Sequence, residues 1–321
     1  MIAYLKKYVL ILCALFTCQQ TIGMADYAQR AWREMTATNE RKVLTALAAL
    51  CLGNELYRYV CITLQKNVLA MLLNQQNRTP HKRKPTITLF GHGLKATQEQ
   101  GNEYKNILNR EEHFEVFNFP YAGADVRKLS DLITMSKCSL AQESDIKTWR
   151  KQINKHTNKN INIFAISTAA SAALCAVAID RPTNVQSIIV ESPFDDVKSV
   201  VAGIASYASL IPGVTTLGNI AASLIFPRYS TGNLRPIDVV TYIPDEIPVL
   251  FICSRQDRLV PAWSTKRLYT TLKEHRAQRG IHNVYLREAN QGKHGEILKH
   301  NQEWYQAAVN GAYKKAHIPL E

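Results

Sequence analysis

Ser167 lies in a run, Asn162-Ile163-Phe164-Ala165-Ile166-Ser167-Thr168-Ala169-Ala170-Ser171-Ala172-Ala173-Leu174, that changes character at its middle. The first part is apolar and rich in β-branched residues, which reads as a short buried strand. The second part is alanine-rich and favours helix. A strand that reverses sharply into a helix leaves its junction residue strained and exposed. The neighbours must be small, because backbones pass close there. Ala165 and Ala169, two before and two after Ser167, are small, although alanine replaces the glycine of the strict G-x-S-x-G pattern on both sides. A serine placed this way attacks acyl carbons once a base takes its proton. The competing reading is a serine that caps a helix. Whether the chain supplies the other groups of a nucleophilic set decides between them.

Those groups are a base, an acid that orients the base, and N–H donors for a developing oxyanion. In a parallel α/β sheet they collect in loops after the carboxyl ends of strands. Apolar runs predict strands at Thr86–Phe90, Phe114–Asn118, Asn162–Ala165, Ser187–Glu191, Pro248–Cys253 and Val284–Arg287. Helical patterns separate them near Gln98–Asn109 and Glu143–Lys155, and a last helix runs from about Gly295 to Tyr313. Strands alternating with helices predict crossover connections and a mainly parallel sheet flanked by helices.

The loops at those strand ends hold suitable residues. Phe90-Gly91-His92-Gly93-Leu94 follows the first strand, and an N–H at Gly93 or Leu94 is placed to meet an oxyanion. The second N–H is that of Thr168, directly after Ser167 at a helix N-terminus. His92 reads as structural. Asp257, in Ser254-Arg255-Gln256-Asp257-Arg258, is the expected acid. Its alternative role is that of a turn residue, and Asp195 and Asp196 after the fourth strand are rival acids. His294, in Asn290-Gln291-Gly292-Lys293-His294-Gly295-Glu296, is the expected base. His282 precedes its strand and so sits at the wrong end of the sheet, and His300 falls inside the last helix.

The flanking regions set the context. The chain has 321 residues, 46% hydrophobic and 20% charged, which suits a globular protein with a sizeable core. Lys6-Lys7, the apolar Tyr8–Phe16 and the small residues Gly23 and Ala25 form the layout of a secretory signal peptide over 1–25. Cleavage there removes Cys13 and Cys18 from the seven cysteines and leaves an odd number. Cys175 and Cys253 read as buried thiols, and neither a disulfide framework nor a metal site is expected.

Residues 26–80 read as a helical N-terminal extension ending in a polar, basic linker. The domain proper is expected over 81–321, with an insertion at about 195–245. Ser199–Pro227 in that insertion has no charged residue and turns at Pro212-Gly213. It reads as an apolar helical cap in preference to a membrane hairpin. The formal net charge of +13 favours anionic surroundings such as lipid headgroups or envelope polymers. The basic stretches read as linker and as solvated helix face, with no nucleic-acid-binding motif.

Taken together, the chain resembles the α/β-hydrolase superfamily, and serine aminopeptidase-like members in particular, over about residues 86–313. The resemblance rests on His92-Gly93-Leu94, Asn118-Phe119-Pro120-Tyr121-Ala122-Gly123, Ala165-Ile166-Ser167-Thr168-Ala169, Glu191-Ser192-Pro193-Phe194, Gln256-Asp257-Arg258-Leu259-Val260-Pro261 and Lys293-His294-Gly295-Glu296. Pro236-Ile237-Asp238, leading to Ile247-Pro248-Val249-Leu250, adds to it. It implies an α/β-hydrolase fold, a Ser167–His294–Asp257 triad, and a cap that shapes the substrate pocket. The sequence departs from the family in showing a helical region where the usual first two antiparallel strands would be, so a sheet trimmed at that edge is expected. Together with the expected signal peptide, this points to a secreted or envelope-located serine hydrolase of an ester, thioester or amide. It would need no cofactor, act on a small-molecule or lipid-like acyl substrate, and associate peripherally with membrane. The alternative is a non-catalytic protein of the same fold that binds an apolar ligand or an envelope partner.

Overall fold

All six expected strands form, and each runs parallel to its neighbours. The computed structural model describes residues 59–67, 85–108, 114–124, 129–205 and 233–315. The strands are β1 (Thr86–Gly91), β2 (Phe114–Phe117), β3 (Asn160–Ile166), β4 (Val185–Glu191), β5 (Val249–Ser254) and β6 (Val284–Ala289). The sheet order is β2-β1-β3-β4-β5-β6. The helices are α1 (Gln98–Leu108), α2 (Leu132–Met135), α3 (Glu143–Lys155), α4 (Ser167–Asp180), α5 (Val197–Ala205), α6 (Pro236–Val239), α7 (Ala262–Ala277), α8 (Ile297–His300) and α9 (Gln302–Lys315). The chain divides into two compact units, Met1–Cys61 and Ile62–Glu321. Of the first, only 59–61 are described, and they are helical.

The sheet is buried on both faces because successive strand residues point to opposite sides. On one face Leu89, Ile163, Val190 and Phe251 meet Trp149 of α3, Leu174 of α4 and Leu268 of α7. On the other face Phe90, Phe164, Ile189 and Leu250 meet Tyr104 of α1 and Tyr305, Val309 and Tyr313 of α9. Helix α4 is buried from Ser167 through Ala178. A helix apolar all round belongs in a core, and its alanines let it lie close to the strands.

Three expectations change. The last helix is two, α8 and α9, because Asn301 interrupts it: its side-chain Nδ2 donates to Ile297 O and Gln291 O, both at 2.9 Å. Residues 236–243, expected as part of the cap, contribute to the core instead, with Val239, Val240 and Ile243 buried beside α4 and α7. Trp149 lies within a basic helix, yet it turns inward and donates from Nε1 to Ala169 O at 2.9 Å. Lys147 and Glu143 of α3 lie on the solvated face and pair with each other at 2.7 Å.

The segment 62–67 packs within the same unit as the sheet. Gln65 Oε1 accepts from Leu234 N–H at 3.1 Å, and Lys66 pairs with Asp238 at 2.9 Å. The expected signal peptide, the linker and the middle of the cap lie outside the described residues. Among the described residues no helix is long and apolar enough to cross a membrane.

Candidate active site

The carboxyl ends of β1, β3, β4, β5 and β6 stand side by side, so five loops open toward one place. Strands β1 and β3 are neighbours, and their connections leave toward opposite edges of the sheet, to β2 and to β4. A parallel sheet opens a crevice at such a reversal. Gly93 and Ser167 face each other there: a Cβ built on Gly93 would lie 3.2 Å from Ser167 Cβ.

Ser167 is the junction between β3 and α4. Its φ is +56°, in the left-handed region, directly after Ile166 in extended conformation. A non-glycine residue held there costs about 1–3 kcal/mol and persists only where the surroundings impose it. A helix-capping serine needs no such conformation, so the capping reading of Ser167 does not hold.

Two long-range contacts complete the arrangement. His294 Nε2 lies 2.8 Å from Ser167 Oγ. His294 Nδ1 lies 2.8 Å from Asp257 Oδ2. Asp257 also accepts from Ser192 Oγ–H at 2.8 Å, Leu259 N–H at 3.0 Å and Val260 N–H at 2.9 Å. Its acceptor sites are thus filled by donors, so His294 Nδ1–H donates to it and Nε2 is left to accept from Ser167. The Asp257 side chain is fully buried and the His294 side chain is 19% exposed. Gly292 and Gly295, at φ +101° and +72°, let the chain fold the His294 loop over the sheet. Ser254 Oγ–H donates to Gln291 O, and Arg255 N–H donates to Ala289 O, tying the acid loop to the base loop.

The structure separates the two oxyanion alternatives. Gly93 N–H donates to Gln100 Oε1 at 3.3 Å, so it is already committed. Leu94 N–H makes no hydrogen bond among the described residues. Thr168 is in the first turn of α4, where no helix carbonyl reaches its N–H. The N–H groups of Leu94 and Thr168 are thus the two left open beside Ser167, and Gly93 has no side chain where it passes Ser167. His92 is structural, as expected. Its Nε2 accepts from Phe119 N–H at 3.1 Å, and its Nδ1–H donates to Gly93 O at 2.8 Å. Burial pushes its pKa down, which keeps this neutral form.

The other candidates lie elsewhere or are engaged. Asp195 accepts from Ser264 Oγ–H at 2.6 Å, Arg267 at 3.1 Å, and Ser199. Asp196 pairs with Arg235 at 3.1 Å. His282 and His300 are exposed. Cys175 and Cys253 are buried thiols, and burial raises both.

An esterase from Pyrococcus furiosus superposes on 72% of this chain and 81% of its own, with a TM-score of 0.50 and 16% identity. The chain has the α/β-hydrolase fold. A monoacylglycerol lipase from Paleococcus ferrophilus covers 74% of this chain and 100% of its own at a TM-score of 0.46 and 14% identity. An acylaminoacyl peptidase from Pyrococcus horikoshii covers 76% and 39% at 0.48 and 12%. No protein-family model matches the sequence, and no curated protein matches it.

Within this α/β-hydrolase fold the alanine-flanked turn is accommodated by its neighbours. Ala165 pairs with Gly91 across β1 and β3. A Cβ on Gly91 would come within 3.1 Å of Ala169 Cβ and 2.5 Å of the Trp149 ring. The missing side chain of Gly91 makes the room that Ala169 takes. Sequence reasoning missed the roles of Gln100 and Ser192. Gln100 carried no signal. Ser192 did: it directly follows a predicted strand, where the other candidate residues lie. In the structure it sits at φ +47° and its Oγ–H donates to Asp257 at 2.8 Å.

Proposed function

We propose that the protein is a serine hydrolase that cleaves a carboxylic ester, thioester or amide through an acyl-enzyme on Ser167. The observation that carries this reading is the chain of contacts Ser167 Oγ–His294 Nε2 and His294 Nδ1–Asp257 Oδ2, each 2.8 Å, on a serine held at positive φ. His294 Nε2 takes the Ser167 proton as Oγ attacks the carbonyl carbon. The carbonyl π electrons move to oxygen, which the N–H groups of Leu94 and Thr168 receive. The intermediate collapses, and His294 passes its proton to the departing alcohol, thiol or amine. Water then gives a proton to His294 and attacks the acyl carbon, which frees the acid and restores Ser167. Asp257 keeps the imidazole in the required tautomer and offsets its transient charge.

The uncharged stretch Ser199–Pro227 points to an apolar acyl portion, and the net charge of +13 to anionic, lipid-rich surroundings. The signal-peptide layout over 1–25 supports a location in the envelope or outside the cell, and the basic charge supports peripheral association with membrane.

A fluorophosphonate probe with mass-spectrometric mapping tests the chemistry. Label is expected on Ser167, absent in Ser167→Ala and sharply reduced in His294→Ala. The same mass map reads the mature N-terminus, expected at Asp26. A folded protein that takes no label would instead be a binding protein of this fold. Esters of graded acyl length test the substrate: hydrolysis that peaks at the shortest chains would overturn the apolar assignment.

A further inference from the structure

Glu191 is the last residue of β4, and no part of it reaches solvent. Its neighbours in register are Ile252 of β5 and Ile166 of β3, the residue before Ser167. Tyr104 of α1 donates its hydroxyl to Glu191 Oε2 at 2.7 Å, and Tyr305 of α9 donates to the same oxygen at 2.6 Å. Glu191 Oε1 is buried and has no hydrogen-bond partner among the described residues. A buried carboxyl oxygen without a donor is expensive, and apolar replacements for such groups are often neutral or stabilising. Stability alone gives no reason for a carboxyl here. The chemistry next to it does.

The geometry points to Glu191 as a positioning residue of the active site: a buried carboxylate, held by two phenol donors, that acts with Asp257 to support the His294 imidazolium. The groups around it are few. Tyr104 and Tyr305 face it from the two helices. The next residue in the chain, Ser192, donates to the same Asp257 Oδ2 that meets His294 Nδ1, so the strand end that carries Glu191 is tied to Asp257 and His294 in the loops after β5 and β6. Farther out, exposed Glu103 acts on Tyr104 and pairs with Lys299 at 3.6 Å.

Burial, the largest influence, leaves the Glu191 carboxyl above its ordinary range, although the two phenols and then His294 pull it back. Burial, with the Glu191 charge second, drives both tyrosines well above their ordinary range. Both therefore remain donors, and donors to one oxygen favour the ionised acid. A neutral acid would leave its own proton at Oε1 with no acceptor. When His294 receives the Ser167 proton, the new positive charge meets two carboxylates inside a poorly polarisable sheet core, where charges interact strongly. By linkage, whatever the imidazolium does for Glu191, Glu191 does for the imidazolium.

This inference deepens the hydrolase reading and rests on it, so its test reads the two separately. The NMR titration of His294 in histidine-labelled protein, assigned with His294→Ala, is compared between the unaltered chain and Glu191→Gln. The midpoint is expected to fall when the charge is removed. The acid limb of the Ser167 labelling rate should move to lower pH by the same amount. A role confined to packing would lower labelling at all pH values and leave the midpoint where it was. An unchanged midpoint in a folded variant overturns the proposal.

If Glu191→Gln does not fold, the double variant Tyr104→Phe, Tyr305→Phe keeps the carboxyl and removes its donors. The midpoint is expected to fall there too, and no change again overturns the proposal. A midpoint shift without labelling of Ser167 would uphold the link between the two groups and remove only the hydrolase reading. Labelling without a midpoint shift would remove only the role of Glu191.

Discussion

Asp257 does its work through two oxygens that are both occupied. The same Oδ2 that receives His294 Nδ1–H also receives Ser192 Oγ–H at 2.8 Å. Ser192→Ala removes one donor from a buried carboxylate, and a hydrogen bond to a charged group contributes about 1.5–3 kcal/mol. The aspartate then rotates more freely under the imidazole. We expect the labelling rate of Ser167 to fall about tenfold at neutral pH, the lower end of that range. Measuring this rate in folded Ser192→Ala checks it, and an unchanged rate would show that the two backbone N–H groups alone hold Asp257.

Among the elements, the turn between β1 and α1 matters most to the site after the Ser167 junction. It passes against Ser167, and in the proposed mechanism it turns Leu94 N–H toward the reacting carbonyl. Gly93 permits the approach: a Cβ there would lie 3.2 Å from Ser167 Cβ and 3.8 Å from its Oγ. Gly93→Ala therefore separates the turn from the α4 N-terminus by a few tenths of an ångström and spoils the donor pair. Loss of one oxyanion donor costs about 10²–10³ in rate, so labelling is expected to drop on the order of a hundredfold. The contact is local and near a loop, so the melting temperature should change little. A large fall in melting temperature with normal labelling would contradict this division of roles.

At the scale of the whole molecule, stability should carry a signature of Asp145. This residue in the first turn of α3 anchors the preceding loop, accepting from Ser139 N–H at 3.2 Å and Ala141 N–H at 2.8 Å. Leu140 and Ala141 both sit at positive φ around it. Burial pushes its carboxyl up to about 6 from an ordinary 3.8. A raised acid favours the folded state while protonated, so its contribution is complete below about pH 4 and is lost as pH rises through about 6. The full span is on the order of 3 kcal/mol. Urea unfolding at pH values from 4 to 7 should show stability from this group declining over that window, and Asp145→Asn should flatten the decline. A slope unaffected by the substitution would show that other groups dominate.

Local patterns in the sequence determined the six strands, their order along the chain, the crossover helices and the loops that carry Ser167, Asp257 and His294. Alternating burial, helical periodicity and Gly-flanked turns are properties of neighbouring residues, so a linear reading recovers them. Tertiary structure decided which groups actually meet. Ser167 and His294 are 127 residues apart, and Asp257 and His294 are 37 apart. Nothing in local spacing distinguishes Asp257 from Asp195 until Ser264 and Arg267 are seen to occupy the latter. The choice of Leu94 over Gly93 turned on a side chain, Gln100, from the following helix. Asn301 looked like a helix residue until its amide found Gln291 O across a loop. Glu191 is of the same kind: its place at a strand end is legible in the sequence, but the two phenols that meet its carboxyl come from separate helices. Burial and long-range hydrogen bonds arise only when separate elements are packed together, and these are the interactions that select among the residues the sequence offers.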